Sequence, residues 1–335
     1  MKKTKIDWAD STWNPVTGCL HSCEYCYARR IANRFGGSIR LDLPPDTSWR
    51  ANRDDSEELK KLLMGDFACH SNGGLHILDE PALNVPVYPA PPSEIEKRSA
   101  PYPYYFDPTF HRYKLNQPQK WTKPRTIFVC SMADLFGDWV PDEWIKQVFE
   151  ACEAAPQHRF LFLTKNPARF GRINGWNHQY NNEYAKDNMW FGTTITRQCE
   201  LNRIRELPYG NAHTFLSIEP ILERIDLDRY LPTADTRWHC SYCGHYTDTY
   251  TNHCGSCGRQ GGYSGSFRKQ PVNWIILGAE SGNRKNKVTP RREWIDGIVQ
   301  ICDERNIPVF MKESLRGLMG DDFRQEFPWE ASGDD

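Results

Sequence analysis

From Thr126 onward the sequence alternates short apolar runs with amphipathic stretches, and few folds accept that alternation. TIFVCS, RFLFLTK, MWFGTTI, HTFLSIEP, NWIILGAE and IPVFMK are apolar or β-branched and strand-length. Between them lie helix-like stretches: PDEWIKQVFEACEAA with Pro141 suited to a first turn, a segment after Pro167, QCELNRIREL, and TPRREWIDGIVQICDERN. Strands that are apolar on both faces, each followed by a helix, predict βα units and a parallel sheet. Two helices repeat one stripe: Trp144, Ile145, Val148, Phe149 and Cys152, then Trp294, Ile295, Ile298, Val299 and Cys302. Equivalent places in a repeated architecture explain the echo, and make Cys152 and Cys302 core residues. With a further strand before Cys19, the count is six or seven βα units. The fold class is therefore α/β, a full or partial parallel (β/α) barrel.

Two stretches break the rhythm. Residues 36–120 are rich in Pro, Asp and Tyr (LDLPPD, VPVYPAPPSE, PYPYYFDPTFHRY), with a short helix predicted from Ser56 to Met64. They read as an insertion or lid. Its aromatics suit either stacking on a planar substrate or simple covering. Residues 235–268 carry a cysteine knuckle. The predicted organisation is a first βα unit (1–35), the insertion (36–120), barrel (121–234), knuckle (235–268), and barrel end with a C-terminal tail (269–335). The chain has 335 residues and a formal net charge of −1, which neither favours nor excludes a polyanionic partner. MKKTKIDWADSTW has no apolar core of a signal peptide, and no run is long and apolar enough to span a membrane. Cysteines clustered at metal-ligand spacing fit a reducing, cytoplasmic setting better than disulfides.

The knuckle holds Cys240, Cys243, Cys254 and Cys257, two C-x2-C pairs, with Gly244 and Gly258 after them. Four thiolates fill a tetrahedral shell and leave no open position, so a structural Zn²⁺ is expected. A mononuclear iron site uses the same ligands. His245 and His253 are surplus to four cysteines and read as surface residues.

Cys19, Cys23 and Cys26 are different: C-x3-C-x2-C offers only three thiolates. A Cys3His zinc site using His21 is one reading. A [4Fe–4S] cluster held by three cysteines, with one iron left open for a ligand, is the other. The loop follows the first strand, at the end of a barrel where sites are built. C-x3-C-x-aromatic-C, with Tyr25 as the aromatic, resembles the radical S-adenosylmethionine (SAM) superfamily. Further along, TWNPVTGC, KPRTIFVCSMADLF, FLTKNP, LSIEP and LGAESG resemble a phage- and bacteria-associated family of unassigned function within that style of fold. A lesser likeness is to spore photoproduct lyase, whose substrate is damaged DNA. The resemblance implies a radical-SAM-type barrel, a [4Fe–4S] cluster on the three cysteines, and S-adenosyl-L-methionine on the open iron. It also implies an electron donor, and cleavage of SAM to a 5′-deoxyadenosyl radical that abstracts hydrogen from a substrate. A nucleic-acid base or nucleotide is one such substrate. Asp134, at the second strand's end, takes the place that contacts the SAM amino group, where the superfamily usually has Gly-Gly-Glu.

Polar residues at the ends of the other strands complete the candidates: Ser131 and Asp134; Thr164 and Lys165; Thr193 and Thr194; Ser217 and Glu219; Gly278, Glu280 and Ser281; Lys312 and Glu313. Tyr25, Ser131, Asp134, Thr194, Ser217, Gly278 and Glu280 are expected at the cofactor, and Lys165, Glu219 and Lys312 are the catalytic candidates. Each has a plainer reading as a helix cap or turn former. Cys130 and Ser131 are expected to point to opposite faces of an extended strand, one of them into the core. Cys69 and Cys199 read as bystanders. The competing function is a non-catalytic metal-binding protein, structural or regulatory, contacting nucleic acid through the knuckle.

Overall fold

The structure is a computed structural model that describes residues 4, 6–36, 74–84, 98–171, 187–208, 212–231, 237–240, 246–247, 253–254, 256–260, 263–266, 272–282 and 284–330. Its main sheet has seven strands in sequence order: β1 (Ser11–Trp13), β2 (Thr126–Val129), β3 (Arg159–Thr164), β4 (Met189–Thr194), β5 (His213–Ile218), β6 (Trp274–Leu277) and β7 (Val309–Met311). Every pairing given for these strands is parallel. The α/β class and the sequential parallel order expected of a barrel are therefore present. The order has two ends, so the sheet is open, a partial barrel rather than a closed one. β2, β4, β6 and β7 are buried at every position, as strands covered on both faces must be. Among the described residues no helix is long and apolar enough to cross a membrane.

The chain divides into two compact units, residues 1–164 and 165–335. In the first, β1 to β3 pair so that Trp13 lies beside Val129 and Val129 beside Phe162. Helix α1 (Tyr27–Phe35) follows the three-cysteine loop, and α2 (Asp142–Glu153) follows β2 with Pro141 as its N-cap. All five stripe residues of α2 are buried, Cys152 completely. A small second sheet joins Val16–Thr17 to Thr109–His111 and His76–Leu78. Part of the predicted insertion is thus built into the frame of the cysteine loop. The predicted helix from Ser56 to Met64, and Cys69, lie outside the described residues.

In the second unit, β4 to β7 pair in register, and α3 (Arg292–Glu304) buries Ile295, Ile298 and Cys302. Trp294 and Val299 of the echoed stripe are half-buried. A separate three-stranded sheet holds Arg237–Cys240 between Tyr246–Thr247 and Tyr263–Ser266.

Two local expectations need correction. QCELNRIREL forms a 3₁₀ helix, Gln198–Glu206, rather than an α-helix. Side chains compete for the backbone at its start: Glu200 accepts from the Thr196 amide (2.6 Å) and hydroxyl, and Arg203 donates to the Thr194 carbonyl (2.8 Å). Cys130 is not extended: its φ of 57° ends the strand at Val129. Cys130 is buried and Ser131 half-buried, but a sharp turn separates them, not the pleat.

Candidate functional site

The three-cysteine loop is set by a glycine and a helix cap. Gly18 has φ +87°, and a Cβ there would stand 2.1 Å from the Asp107 carbonyl oxygen. Only glycine lets residues 106–107 approach this closely, and the Cys19 amide then donates to the Phe106 carbonyl at 3.1 Å. Cys19 is buried with Ala28, Ala32, Phe106 and Met132; Cys23 and Cys26 are half-buried. Cys26 is the N-cap of α1, its Sγ accepting from the Arg29 amide (3.3 Å). Cys19 Sγ accepts from the His21 amide (3.4 Å). Arg29 closes the loop from behind, donating to the carbonyls of Cys19 (3.0 Å) and His21 (2.8 Å).

Asp134 is the polar centre beside this loop. It is 5% exposed. Oδ1 accepts from the Thr164 hydroxyl (2.7 Å) and the Phe136 amide (3.1 Å), and Oδ2 lies 2.9 Å from His21 Nε2. Asp134 therefore forms the plain turn that was its alternative reading, and also holds the end of β3 and the cysteine loop. His21, the alternative zinc ligand, has its Nε2 on Asp134 and its ring edge-on to Trp139. Ser131 donates to Asn14 Oδ1 (3.1 Å), which also receives the Met132 amide, and the Tyr27 hydroxyl donates to the Ser131 carbonyl. Asn14, at the end of β1, was not singled out from sequence. Its only signal was its position after a strand. Tyr25 is half-buried in the loop.

Burial, and then the negative charge of Asp134, push the Cys19 thiol up to about 12. A bare thiol there stays protonated; a thiolate needs a cation next to it. Amide donors on Cys19 and Cys26, and a helix N-terminus at Cys26, favour the thiolate form once that cation is present. The loop thus has the donor set of a metal site.

In the second unit, parallel register builds a different constellation. Ile218, Leu277 and Met311 are successive partners across β5, β6 and β7. The next residues, Glu219, Gly278 and Lys312, consequently lie side by side at three strand ends. Lys312 Nζ pairs with Glu219 Oε1, both largely buried. A Cβ on Gly278 would come within 3.0 Å of both the Glu219 and Lys312 side chains, so the glycine lets the pair close across β6. Two of the three catalytic candidates meet here. Lys165, half-buried, lies near Glu200 instead; burial raises that carboxyl, but the Thr196 amide, Arg203 and Lys165 outweigh it and hold it low.

Glu280 is occupied as a loop clamp. It accepts two bonds from Arg284 (2.7 and 2.8 Å) and one from the Val288 amide, and Arg284 holds its carboxyl low. Thr193, Thr194 and Ser217 are buried within their strands. Ser281 is exposed, and so is Glu313, which pairs with Arg316.

At the knuckle, the ligand atoms of Cys240, Cys254 and Cys257 lie within 4.8 Å of one another. The Cys240 and Cys257 sulfurs are 3.8 Å apart, and Gly258 takes φ +69° directly after the second pair. These three can hold a metal ion. Cys243 and His245 lie outside the described residues, and His253 is exposed. Among the described residues this is the one such close gathering; Cys19, Cys23 and Cys26 stand farther apart. Cys199 is exposed, and burial raises the Cys130 and Cys302 thiols to about 12.

A family model, described as a protein of unknown function (DUF5131), matches residues 3–62 and 95–319. No curated protein and no solved structure matches the chain.

Proposed function

The chain belongs to the DUF5131 family, and we propose that it is a radical SAM enzyme with a [4Fe–4S] cluster on Cys19, Cys23 and Cys26. The observation that carries the reading is the arrangement of those thiols. They share one loop after Val16–Thr17, two accept backbone amides, one caps a helix, and their three sulfurs do not all lie within 4.8 Å of one another. A polynuclear cluster distributes its thiolates over different irons and accommodates such a set. When bound, the cluster and SAM supply a reductively generated 5′-deoxyadenosyl radical that takes hydrogen from a substrate, a nucleic-acid base or nucleotide in our reading.

The chain's own residues orient and shield. Asp134 and Arg29 fix the loop, and Ser131, steadied by Asn14, stands beside it. Tyr25, Ser131 and Asp134 are assigned to the SAM side in the first unit. The cofactor candidates of the second unit are Thr194 and Ser217, buried within their strands, Gly278 beside the Glu219–Lys312 pair, and Glu280, held by Arg284. Glu219 and Lys312 present a charge pair that a polar substrate group can open. Lys165 remains a candidate to meet a carboxylate or phosphate. At the knuckle, Cys240, Cys254 and Cys257 would hold a structural Zn²⁺, and the C-x2-C spacing supplies Cys243 as the fourth ligand.

The test is anaerobic reconstitution followed by SAM turnover. About four iron and four sulfide per chain are expected at the loop, lost on Cys→Ala there. With dithionite and SAM, 5′-deoxyadenosine should form, carrying deuterium when labelled DNA, RNA or nucleotide is the substrate. One zinc in the loop and no 5′-deoxyadenosine would overturn the assignment.

A further inference from the structure

Parallel register sets a carboxylate and an ammonium at the ends of β5 and β7, with no side chain between them. The backbones at Glu219 and Lys312 are two strand spacings apart, about 10 Å, and their side chains meet across Gly278 at the end of β6. Each side chain remains partly open to solvent, 22% for Glu219 and 19% for Lys312. The backbone around them is fixed. The Gly278 amide donates to the Ile218 carbonyl (3.2 Å), the Lys312 amide to the Leu277 carbonyl (2.9 Å), and the Ile221 amide to the Gly278 carbonyl (3.0 Å). Neighbouring polar side chains are engaged elsewhere: Glu280 with Arg284, Glu313 with Arg316, and the Ser314 hydroxyl with the Ala279 amide (3.1 Å). Among the described residues, neither Glu219 nor Lys312 has a second ion-pair partner.

We infer that this pair reads the edge of a guanine base. The inference rests on the nucleobase reading above and narrows it. Charge decides first. A phosphate or carboxylate on Lys312 would stand against the Glu219 carboxylate, and a cation on Glu219 would stand against the ammonium. A neutral ligand meets neither repulsion. Hydrogen-bonding capacity decides next. The ammonium only donates, and the carboxylate offers two accepting oxygens side by side. Their complement is one acceptor beside two donors. Guanine carries O6, N1–H and N2–H in that order along one edge. Adenine, cytosine and uracil do not set two donor groups side by side next to an acceptor. Opening the pair for guanine exchanges one ionic contact for three hydrogen bonds to charged groups. Those bonds form over Gly278, where the backbone is bare and a flat ring can approach closely.

Calorimetric titration of the purified protein tests this, with guanosine, adenosine, cytidine, uridine and inorganic phosphate as probes. Guanosine should bind at least about tenfold more tightly than the other three nucleosides, and phosphate should not displace it. Inosine lacks the N2 donor and N1-methylguanosine lacks the N1 donor. Each should bind about tenfold or more weakly than guanosine, the range of a hydrogen bond to a charged group. These analogues test the wild type and need no variant to fold. Glu219→Gln and Lys312→Met, verified as folded by circular dichroism, should lose the preference for guanosine. A single-stranded oligonucleotide with one deoxyguanosine, compared with free guanosine, tells a base within a strand from a free nucleoside: tighter binding of the strand assigns the site to nucleic acid. No guanosine binding, equal affinity for all four nucleosides, or displacement by phosphate would overturn the guanine assignment, whatever the SAM assay shows. Guanosine bound in the expected pattern, with no deuterium passing from it to 5′-deoxyadenosine, would overturn the radical reading and leave the guanine site.

Discussion

Gly278 shows how much can depend on a missing methyl group. Its strand-end position was legible in the sequence, but its reason was not. Gly278 was expected at the cofactor; what stands 3.0 Å from its Cβ position is the Glu219–Lys312 pair. That pairing spans 93 residues of sequence, beyond the reach of any local pattern. The same holds for Asp134, readable as a polar strand-end residue, whose partners His21 and Thr164 lie 113 and 30 residues away. Gly278→Ala should force the pair apart and cost about 1–3 kcal/mol, as overpacking does. Urea denaturation measures it, and the additional loss of Glu219→Gln should be smaller in the Gly278→Ala background than in the wild type.

At the scale of elements, the strands were the easiest to read. A parallel strand buried on both faces must be apolar throughout, so β2, β3, β4, β5, β6 and β7 announce themselves. Thr109–His111 did not, because its partner Val16–Thr17 lies at the far end of a Pro-rich stretch and pairs with only two of its residues. The 3₁₀ turn at Gln198–Glu206 was missed because helical periodicity does not record Glu200 and Arg203 bonding backward to the backbone. Spacing alone picked out Cys240, Cys254 and Cys257, whose ligand atoms lie within 4.8 Å of one another. We expect the purified protein to hold about one zinc per chain there. Cys240→Ser or Cys257→Ser should remove it, lowering thermal stability and opening Arg237–Ser266 to protease first. Metal analysis beside limited proteolysis checks this, and an unchanged zinc content would refute it.

Across the whole molecule, the division near residue 164 left no trace in composition, since it falls within the strand–helix rhythm rather than at a linker. Stability against acid is also a property of the whole chain, and one buried histidine sets part of it. His111 is completely buried, with Nε2 2.8 Å from the Thr17 hydroxyl. Burial, and then the charge of Lys114, push it down to about 3 from an ordinary 6.5. Below about pH 6.5 the unfolded chain takes up a proton that the folded chain refuses. Its contribution to stability is therefore complete above 6.5 and falls as pH drops toward 3, by roughly 1.4 kcal/mol per pH unit. Denaturation curves between pH 7 and 4 should include this contribution in the wild type. In His111→Gln, which keeps a hydrogen-bonding side chain at Thr17 without a titrating ring, the slope should be shallower by one proton.

Under the proposed function Cys26 does two jobs with one sulfur, and that bears on how a metal-free control should be made. Alanine at 26 removes a proposed ligand and uncaps α1 together, so a dead protein would say nothing about which loss mattered. Serine keeps an acceptor for the Arg29 amide, now 3.3 Å from the sulfur, while giving up the soft donor that iron prefers. Cys26→Ser should retain the helix by circular dichroism, with Cys26→Ala less stable by about 1 kcal/mol. The pair of substitutions separates the architecture of the loop from its chemistry, a distinction that neither mutant draws alone.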